Sequence, residues 1–546
     1  MKAKTLALMF ITAVLLVALI VVNFSMGSLE DSVNFSLKTE LGDPGILDGM
    51  VMDLSSCTSG SDLVWESKLN FSEQGKLETE TEFKNGKTDE ASRIINRDDH
   101  VDDETKHEGY GIEVYDSTME DLEEYLDLGT GSHDSPGYDV RTAAEKIKED
   151  YEVDHKTRIK LNDYLDHFVL NGWVYKDSSN WKFVRKSMEG TDNSKRFDEY
   201  SKFMEFFKIP IGDDIEYMVT KEGSDWYLSD EINIEDGDEY CSNGFSFKTT
   251  SKSIGNTVYF SFDNRMDLGG RVDCSLIPGG YGIYAFEIGM DAENSKVPDM
   301  SSLRNILRLD ENAVVRKLAV SPDGRTLEVF TLEDNDLVLR ELDTTGEGSI
   351  RESVIWENAD REDTYWEPYD INNDRNLLIY SAAELGLEDT SFILAVNKDG
   401  FRLLQYTEDG CKVIFSRNFD ETDDLKKLGL WLGQASDTKL WWDGERLTLT
   451  ALKHGLIGNI PITDYNDLMI LVYEKEKPVY IGSVKSDLND ELNKRSNDQI
   501  CEIKEWMTEA EISADINDDY DDGWSDIQLN DLVNKSGVRI DHIKYE

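Results

Sequence analysis

The sequence predicts an all-β fold, a β-propeller of six to eight four-stranded blades with seven favoured. Helical and polar insertions interrupt it, and an N-terminal transmembrane helix precedes it. Three observations lead there. From about residue 214 to 484 the chain reads as one short strand after another, with polar turns between them. Within residues 241–484 a turn-plus-strand unit recurs four times. Ahead of all this, an uncharged apolar run of membrane-spanning length follows two lysines. At 546 residues the chain has room for several domains or one large repeat-built domain.

The apolar run, Thr5–Val22, reads TLALMFITAVLLVALIVV and is 18 residues long. As a helix it is just long enough to cross a bilayer. Lys2 and Lys4 before it, with Glu30 and Asp31 after it, place the N-terminus in the cytoplasm. The length favours a signal anchor over residues 1–30. The alternative is a cleaved signal peptide, with Ser25 and Gly27 supplying a cut after Gly27. Either reading exports everything after residue 30, to an extracytoplasmic, cell-surface location or, if the signal is cleaved, into the medium. The first cysteine is Cys57, so no lipoprotein signal follows the run, and the absence of a second spanning run excludes a channel or transporter.

Residues 31–60 read as a stalk or a first edge strand, and 61–240 as N-terminal blades. Val64–Phe83 alternates apolar and polar residues around Gln74-Gly75, the pattern of a hairpin with one buried face. An acidic insertion spans 84–137 and includes NRDDHVDDETKHEG. Helices are expected at Thr118–Leu126, Val140–Glu152 and Ser201–Phe207, and strand-forming residues concentrate at Tyr164–Tyr175. Four blades follow over 241–484. Residues 485–546 form an acidic segment and closing strands, ending in the alternating GVRIDHIKYE.

The repeat is explicit in places. Val320–Thr331 reads VSPDGRTLEVFT and Asp370–Ser381 reads DINNDRNLLIYS, each a polar turn followed by a strand. Arg325 aligns with Arg375, Leu327 with Leu377, Val329 with Ile379 and Phe330 with Tyr380. Gly255–Phe262 and Trp442–Thr450 are further copies. Each copy is followed by an apolar strand: Tyr281–Ile288, Leu337–Leu342, Phe392–Asn397 and Leu468–Tyr473. Units of about four short strands cannot bury both sheet faces alone. Stacked around an axis they can, with few exposed edges.

SPDGRT before an apolar strand, followed by FILAVNKDGFRLLQYT, resembles the WD40-like repeat of TolB-type β-propellers. Ser321, Pro322, Asp323 and Gly324 match the turn before that repeat's second strand. Asn397, Asp399 and Gly400 match the turn after its third. The resemblance is clearest over about 311–410, and in the second copy Asn373-Asp374 replaces Pro-Asp-Gly. It implies a fold and a binding platform rather than one activity.

Composition narrows the partners. With 112 acidic and 57 basic residues the net charge is −55, which repels phosphate backbones and anionic headgroups and excludes general nucleic-acid binding. Lys outnumbers Arg 36 to 21, against the habit of salt-adapted surfaces. Aromatic residues make up 10% of the chain, enough for a core and too many for global disorder. The cysteines Cys57, Cys241, Cys274, Cys411 and Cys501 have no metal or redox spacing. Reduced core thiols are one reading, and a bridge between Cys241 and Cys274 is the other.

No catalytic residue emerges. A Gly-x-Ser-x-Gly elbow is missing, which argues against a serine hydrolase, and no His pair has zincin spacing. His100, His107 and His133 sit in the polar insertion as solvated residues. Asp515, Asn517, Asp519 and Asp526 occupy positions 1, 3, 5 and 12 of a calcium loop, with Asp521 at position 7. Tyr520 stands where glycine would make the sharp turn, and the competing reading is a solvated acidic loop. Trp431, Trp441 and Trp442 read as blade core rather than a sugar platform. The expected function is a non-enzymatic, membrane-anchored module at the cell surface that binds an extracytoplasmic protein or glycan. The alternatives are a secreted glycan-active hydrolase using axial carboxylates, or a calcium-dependent adhesion or assembly module.

Overall fold

A computed structural model describes residues 33–58, 63–85, 110–128, 138–151, 155–182, 194–240, 249–265, 271–290, 296–345, 349–359, 377–418, 438–462, 468–488 and 536–546, with breaks of one or two residues inside five of these segments. The chain divides into two compact units. One takes Met1–Asp102, Arg375–Gln405 and Val413–Glu546, and the other takes Asp103–Asp374 and Tyr406–Lys412. The expected membrane helix at 5–22 lies outside the described residues. Among those described, no helix is long and apolar enough to cross a membrane.

The first unit opens with β1 (Phe35–Gly42), β2 (Met50–Thr58), β3 (Leu63–Ser72) and β4 (Lys76–Asn85). The hairpin expected around Gln74-Gly75 is formed. Ser72 pairs with Lys76, and both turn residues take positive φ, 63° and 67°. The left-handed conformation reverses the chain in three residues, and glycine adopts it without a Cβ penalty. Asp48 locks the turn by accepting the Gly75 amide at 2.7 Å.

In the second unit come β5 (Tyr110–Asp116), α1 (Thr118–Leu128), α2 (Tyr138–Asp150), β6 (His155–Lys160), β7 (Leu170–Lys176), β8 (Ser179–Lys182), α3 (Ser194–Phe206), β9 (Glu216–Glu222) and β10 (Asp225–Ser229). Two three-stranded sheets interleave here, β5-β7-β8 and β6-β9-β10, and the small hairpin β11 (Glu231–Ile234) with β12 (Gly237–Tyr240) follows. All three expected helices exist. The strand expected at Tyr164–Tyr175 begins only at Leu170, and α3 starts seven residues before Ser201. Leu122 and Leu126 of α1, Ala143 and Ile147 of α2, and Phe203 of α3 join one buried cluster. Phe207 completes it, with ring centroids 4.8–6.1 Å from Tyr284, Phe260 and Phe262.

Two regular sheets complete this unit. One is β13 (Thr249–Ile254), β14 (Thr257–Phe262), β15 (Gly282–Met290) and β16 (Lys296–Arg308). The other is β17 (Val314–Val320), β18 (Thr326–Glu333), β19 (Asp336–Asp343) and β20 (Ile350–Trp356). Each is an antiparallel meander in chain order. The Ser-Pro-Asp-Gly turn between β17 and β18 is held by its own side chains. Gly324 N donates to Ser321 O at 2.8 Å with φ +70°, Ser321 Oγ donates to Asp323 Oδ1 at 2.7 Å, and the Thr326 amide donates to Ser321 Oγ at 2.9 Å.

The first unit resumes with β21 (Leu377–Ser381), β22 (Phe392–Asn397), β23 (Gly400–Thr407) and β24 (Gly410–Asn418), a four-stranded sheet in chain order. Next come β25 (Thr438–Trp442), β26 (Arg446–Leu452), the short pair β27 (Gly455–Ile457) and β28 (Ile460–Ile462), β29 (Leu468–Glu474) and β30 (Lys477–Ser486). Strands β25, β26, β29 and β30 form a sheet to which β1 adds at the outer edge. Last, β31 (Ser536–Tyr545) returns to the N-terminal sheet and pairs with β2 from Met50↔Tyr545 to Thr58↔Ser536.

The protein is therefore mostly β, in several four-stranded antiparallel sheets. In FILAVN of β22 all six residues are buried, and in β29 six of seven. Such strands carry continuous apolar runs rather than alternation because both faces are covered. Trp441 and Trp442 point to opposite faces of β25. Trp441 packs on Tyr545 at 4.3 Å and Trp442 on Phe415 at 5.9 Å, so both serve the core as expected; Trp431 lies outside the described residues. Cys274 is a free, fully buried thiol pushed up to about 12 by burial, so it does not form the bridge to Cys241.

Candidate functional site

In an antiparallel meander successive turns alternate between the two ends of the sheet. The β14–β15 connection and the β16–β17 connection therefore share one end of the β13–β16 sheet. A pocket of about 600 Å³ opens there, lined by Arg271, Tyr281, Arg308 and the 309–312 turn. That size is ordinary for small-molecule sites.

Buried polar contacts tie the two connections together. Asn264 is fully buried; its Nδ2 donates to Glu311 O at 2.7 Å and its Oδ1 accepts from Arg271 Nη1 at 3.0 Å. Arg271 Nη2 reaches Asn312 O at 3.2 Å. Leu309 N donates to Tyr281 O at 2.9 Å, and the buried Tyr281 hydroxyl donates to Phe262 O at 3.0 Å. Arg271 is thus held by two neutral oxygens, in a geometry set before any ligand arrives.

Gly279 and Gly280 have φ of +88° and +75°. They make the sharp approach to β15 in the left-handed conformation glycine adopts without a Cβ penalty, and the Arg308 guanidinium lies beside Gly280, its Nε 3.6 Å from where a Cβ would stand. Asn305 Nδ2 and the Tyr284 hydroxyl both donate to Gly280 O, at 2.8 and 2.9 Å. Among the described residues the Arg308 side chain makes no hydrogen bond or ion pair. Asp263, a carboxylate whose charge acts on Arg271, is engaged instead by Arg265, whose Nε sits 2.9 Å from its Oδ2. Burial, opposed by Asp263 and reinforced by Arg265 and Arg316, holds Arg271 below the usual arginine range. Asp310 Oδ1 caps its own turn by accepting the Asn312 amide at 2.8 Å. The pocket combines two guanidiniums that lack a carboxylate partner among the described residues with the lining residues Asp310 and Glu311. Its guanidiniums can take an anionic group.

A second polar cluster lies inside the same unit. Glu328 in β18 has no exposed surface; the Tyr406 hydroxyl donates to its Oε2, while Oε1 has no partner. Burial pushes its carboxyl up to about 8; Tyr406 opposes this, and Glu341 and Asp323 add to it. The Cys411 amide donates to Glu341 Oε1 at 3.0 Å, and burial raises the thiols and phenols around it, Cys411 and Tyr406 included. A hydrolase would need raised carboxyls facing a cavity. Among the described residues Glu328 is the one carboxyl so raised, and it touches no solvent.

The calcium-loop residues Asp515, Asn517, Asp519, Asp521 and Asp526 lie outside the described residues, as do His100, His107 and His133. Among the described residues no cluster of three His, Cys, Asp or Glu could hold a metal. Arg271, Arg308 and Asn264 were not singled out by sequence reasoning. Their one advance signal is local: residues 265–325 hold six of the 21 arginines of an acidic chain.

No family model matches the sequence, and no curated protein does. Solved structures similar to this chain include a putative 6-phosphogluconolactonase from Bacteroides fragilis, 10% identical, covering 59% of this chain and 94% of that one with a TM-score of 0.22. The periplasmic gluconolactonase of Pseudomonas aeruginosa is 9% identical over 58% of this chain and 78% of its own, at 0.22. TolB from Acinetobacter baumannii is 10% identical over 69% and 97%, at 0.18. At these values none of them bears on what this chain does, and the WD40-like repeat assignment has no family model behind it.

Proposed function

We propose that the chain is a β-propeller binding module, exported and membrane-anchored through residues 1–30, that engages a protein or glycan at the cell surface without turning it over. The observation that carries the reading is the pairing of β31 with β2. A chain whose last strand completes its first sheet suits a circular array in which no sheet is terminal. Strands buried on both faces support the same arrangement, since each sheet then needs a neighbour on either side. The net charge of −55 favours an extracytoplasmic, soluble surface over a nucleic-acid partner.

The test uses the full chain in its expressing cells. Protease added to intact cells is expected to digest it, while membrane fractionation retains it. The detergent-solubilised protein is expected to bind a subset of an immobilised glycan set and release no product detectable by mass spectrometry. Protection from external protease would remove the export reading, and released sugar would replace binding with hydrolysis.

A further inference from the structure

We propose that the Arg271–Arg308 pocket is a binding site for a hydroxylated carboxylate, a uronic-acid unit of a glycan. The proposal deepens the binding-module reading and rests on it. In a chain with 112 acidic residues, several described arginines find carboxylates, although the exposed Arg325 does not: Arg265 pairs with Asp263, Arg340 with Glu333, Arg446 with Glu474 and Arg539 with Asp541. The two pocket arginines do not. Arg271 spends two N–H groups on amide oxygens, and Arg308 makes no described contact of either kind. A guanidinium presents five donors in a planar fork that fits a carboxylate edge to edge.

The remaining wall selects the rest of the ligand. The Asp310 and Glu311 side chains also belong to the lining residues, and carboxylate oxygens accept from sugar hydroxyls. The same two carboxylates, on a surface of net charge −55, penalise a doubly charged phosphate more than a singly charged carboxylate. The buried Tyr281 and Leu309 complete the lining. A volume of about 600 Å³ holds one or two pyranose units.

The experiment is titration calorimetry on the detergent-solubilised full chain at low salt. The probes are D-galacturonate, D-glucuronate, D-galactose, D-glucose and inorganic phosphate. A uronate is expected to bind at least about tenfold tighter than its neutral sugar, the effect of one charge-assisted hydrogen-bonded pair. Arg308→Ala is expected to abolish that preference while leaving the melting temperature unchanged, because Arg308 holds no other described group in place. Arg325→Ala, on the turn after β17, is the control and keeps the preference. Equal binding of uronate and neutral sugar, phosphate binding tighter than uronate, no binding of any probe, or a preference that survives Arg308→Ala would each overturn the assignment. Glycan capture that continues unchanged in Arg308→Ala sinks the pocket and leaves the wider binding reading standing, so the two fail separately.

Discussion

Replacing Glu328 with Gln should reverse the order of stability between variant and parent as pH rises. Glu328 is fully buried, and its carboxyl sits at about 8 instead of 4.5 because burial penalises the charged form. The folded state therefore holds a proton that the unfolded state has released. That contribution is fully present below pH 4.5 and is lost as pH climbs through 8. Each pH unit in that window removes about 1.4 kcal/mol, so the parent loses about 5 kcal/mol across it. Gln has the same shape and no proton to lose. It still accepts from Tyr406, but its amide N–H₂ faces the position where Oε1 has no partner, at a fixed cost of about 1–3 kcal/mol. The variant should be less stable than the parent at pH 5 and more stable by about 2–4 kcal/mol at pH 9. Denaturant midpoints followed by tryptophan fluorescence, at fixed high salt, read the difference. Subtracting the two curves cancels the other acidic groups, and salt damps their mutual repulsion. A difference that stays flat from pH 5 to 9 would refute a buried, proton-holding Glu328.

Other perturbations act on ion pairs, close backbone approaches and the acidic loop. Arg340 is 11% exposed and bonds Glu333 Oε2 and Glu352 Oε2, each at 2.9 Å, so Arg340→Met should cost about 3–5 kcal/mol by stranding Glu333. Against the burial that raises it, the Arg340 hydrogen bond holds Glu333 below the usual carboxylate range; its contribution is present above that range and fades as pH falls through the lowered value, so the variant's thermal deficit should shrink in acid. Gly42 has φ +86° and a Cβ there would stand 2.0 Å from Val479 O, whereas Gly255, φ +62°, has nothing within 4 Å. Gly42→Ala should lower the melting temperature severely and Gly255→Ala by only about 1 kcal/mol worth, and equal effects would contradict the close approach of β1 to β30. If Asp515, Asn517, Asp519, Asp521 and Asp526 form a calcium loop, calcium should raise the melting temperature and Asp515→Ala should cancel the rise; melting that ignores both calcium and chelator removes that site.

Local chemistry made much of the fold readable in advance. Gln74-Gly75 and Ser321–Gly324 encode their turns in backbone preference and side-chain hydrogen bonds, both of which act within a few residues. The apolar strands of the 241–484 region are visible because burial on both faces demands unbroken runs. What stayed hidden depends on distant partners. The interleaved sheets β5-β7-β8 and β6-β9-β10 cross over in sequence, and no periodicity reports which strand a given strand will join. The first turns of α3, starting SKRFDEY, are polar, while the buried anchors Phe203 and Phe207 lie at its far end, so its start could not be seen in an apolar pattern. The pocket is the extreme case. Arg271 and Arg308 are unremarkable until two connections at one end of a sheet bring them to one pocket.

The pairing of β31 with β2 also sets a clock. During synthesis β2, β3 and β4 can form as soon as they emerge, but the N-terminal sheet lacks its fourth strand until Ser536–Tyr545 has been made. For all the time it takes to translate the intervening chain, β2 presents an unpaired edge to whatever else is in the same compartment. A ribosome that stops anywhere before residue 536 leaves that edge open permanently. The exposed edge of the second strand therefore distinguishes a chain that carries Ser536–Tyr545 from one that stops before it.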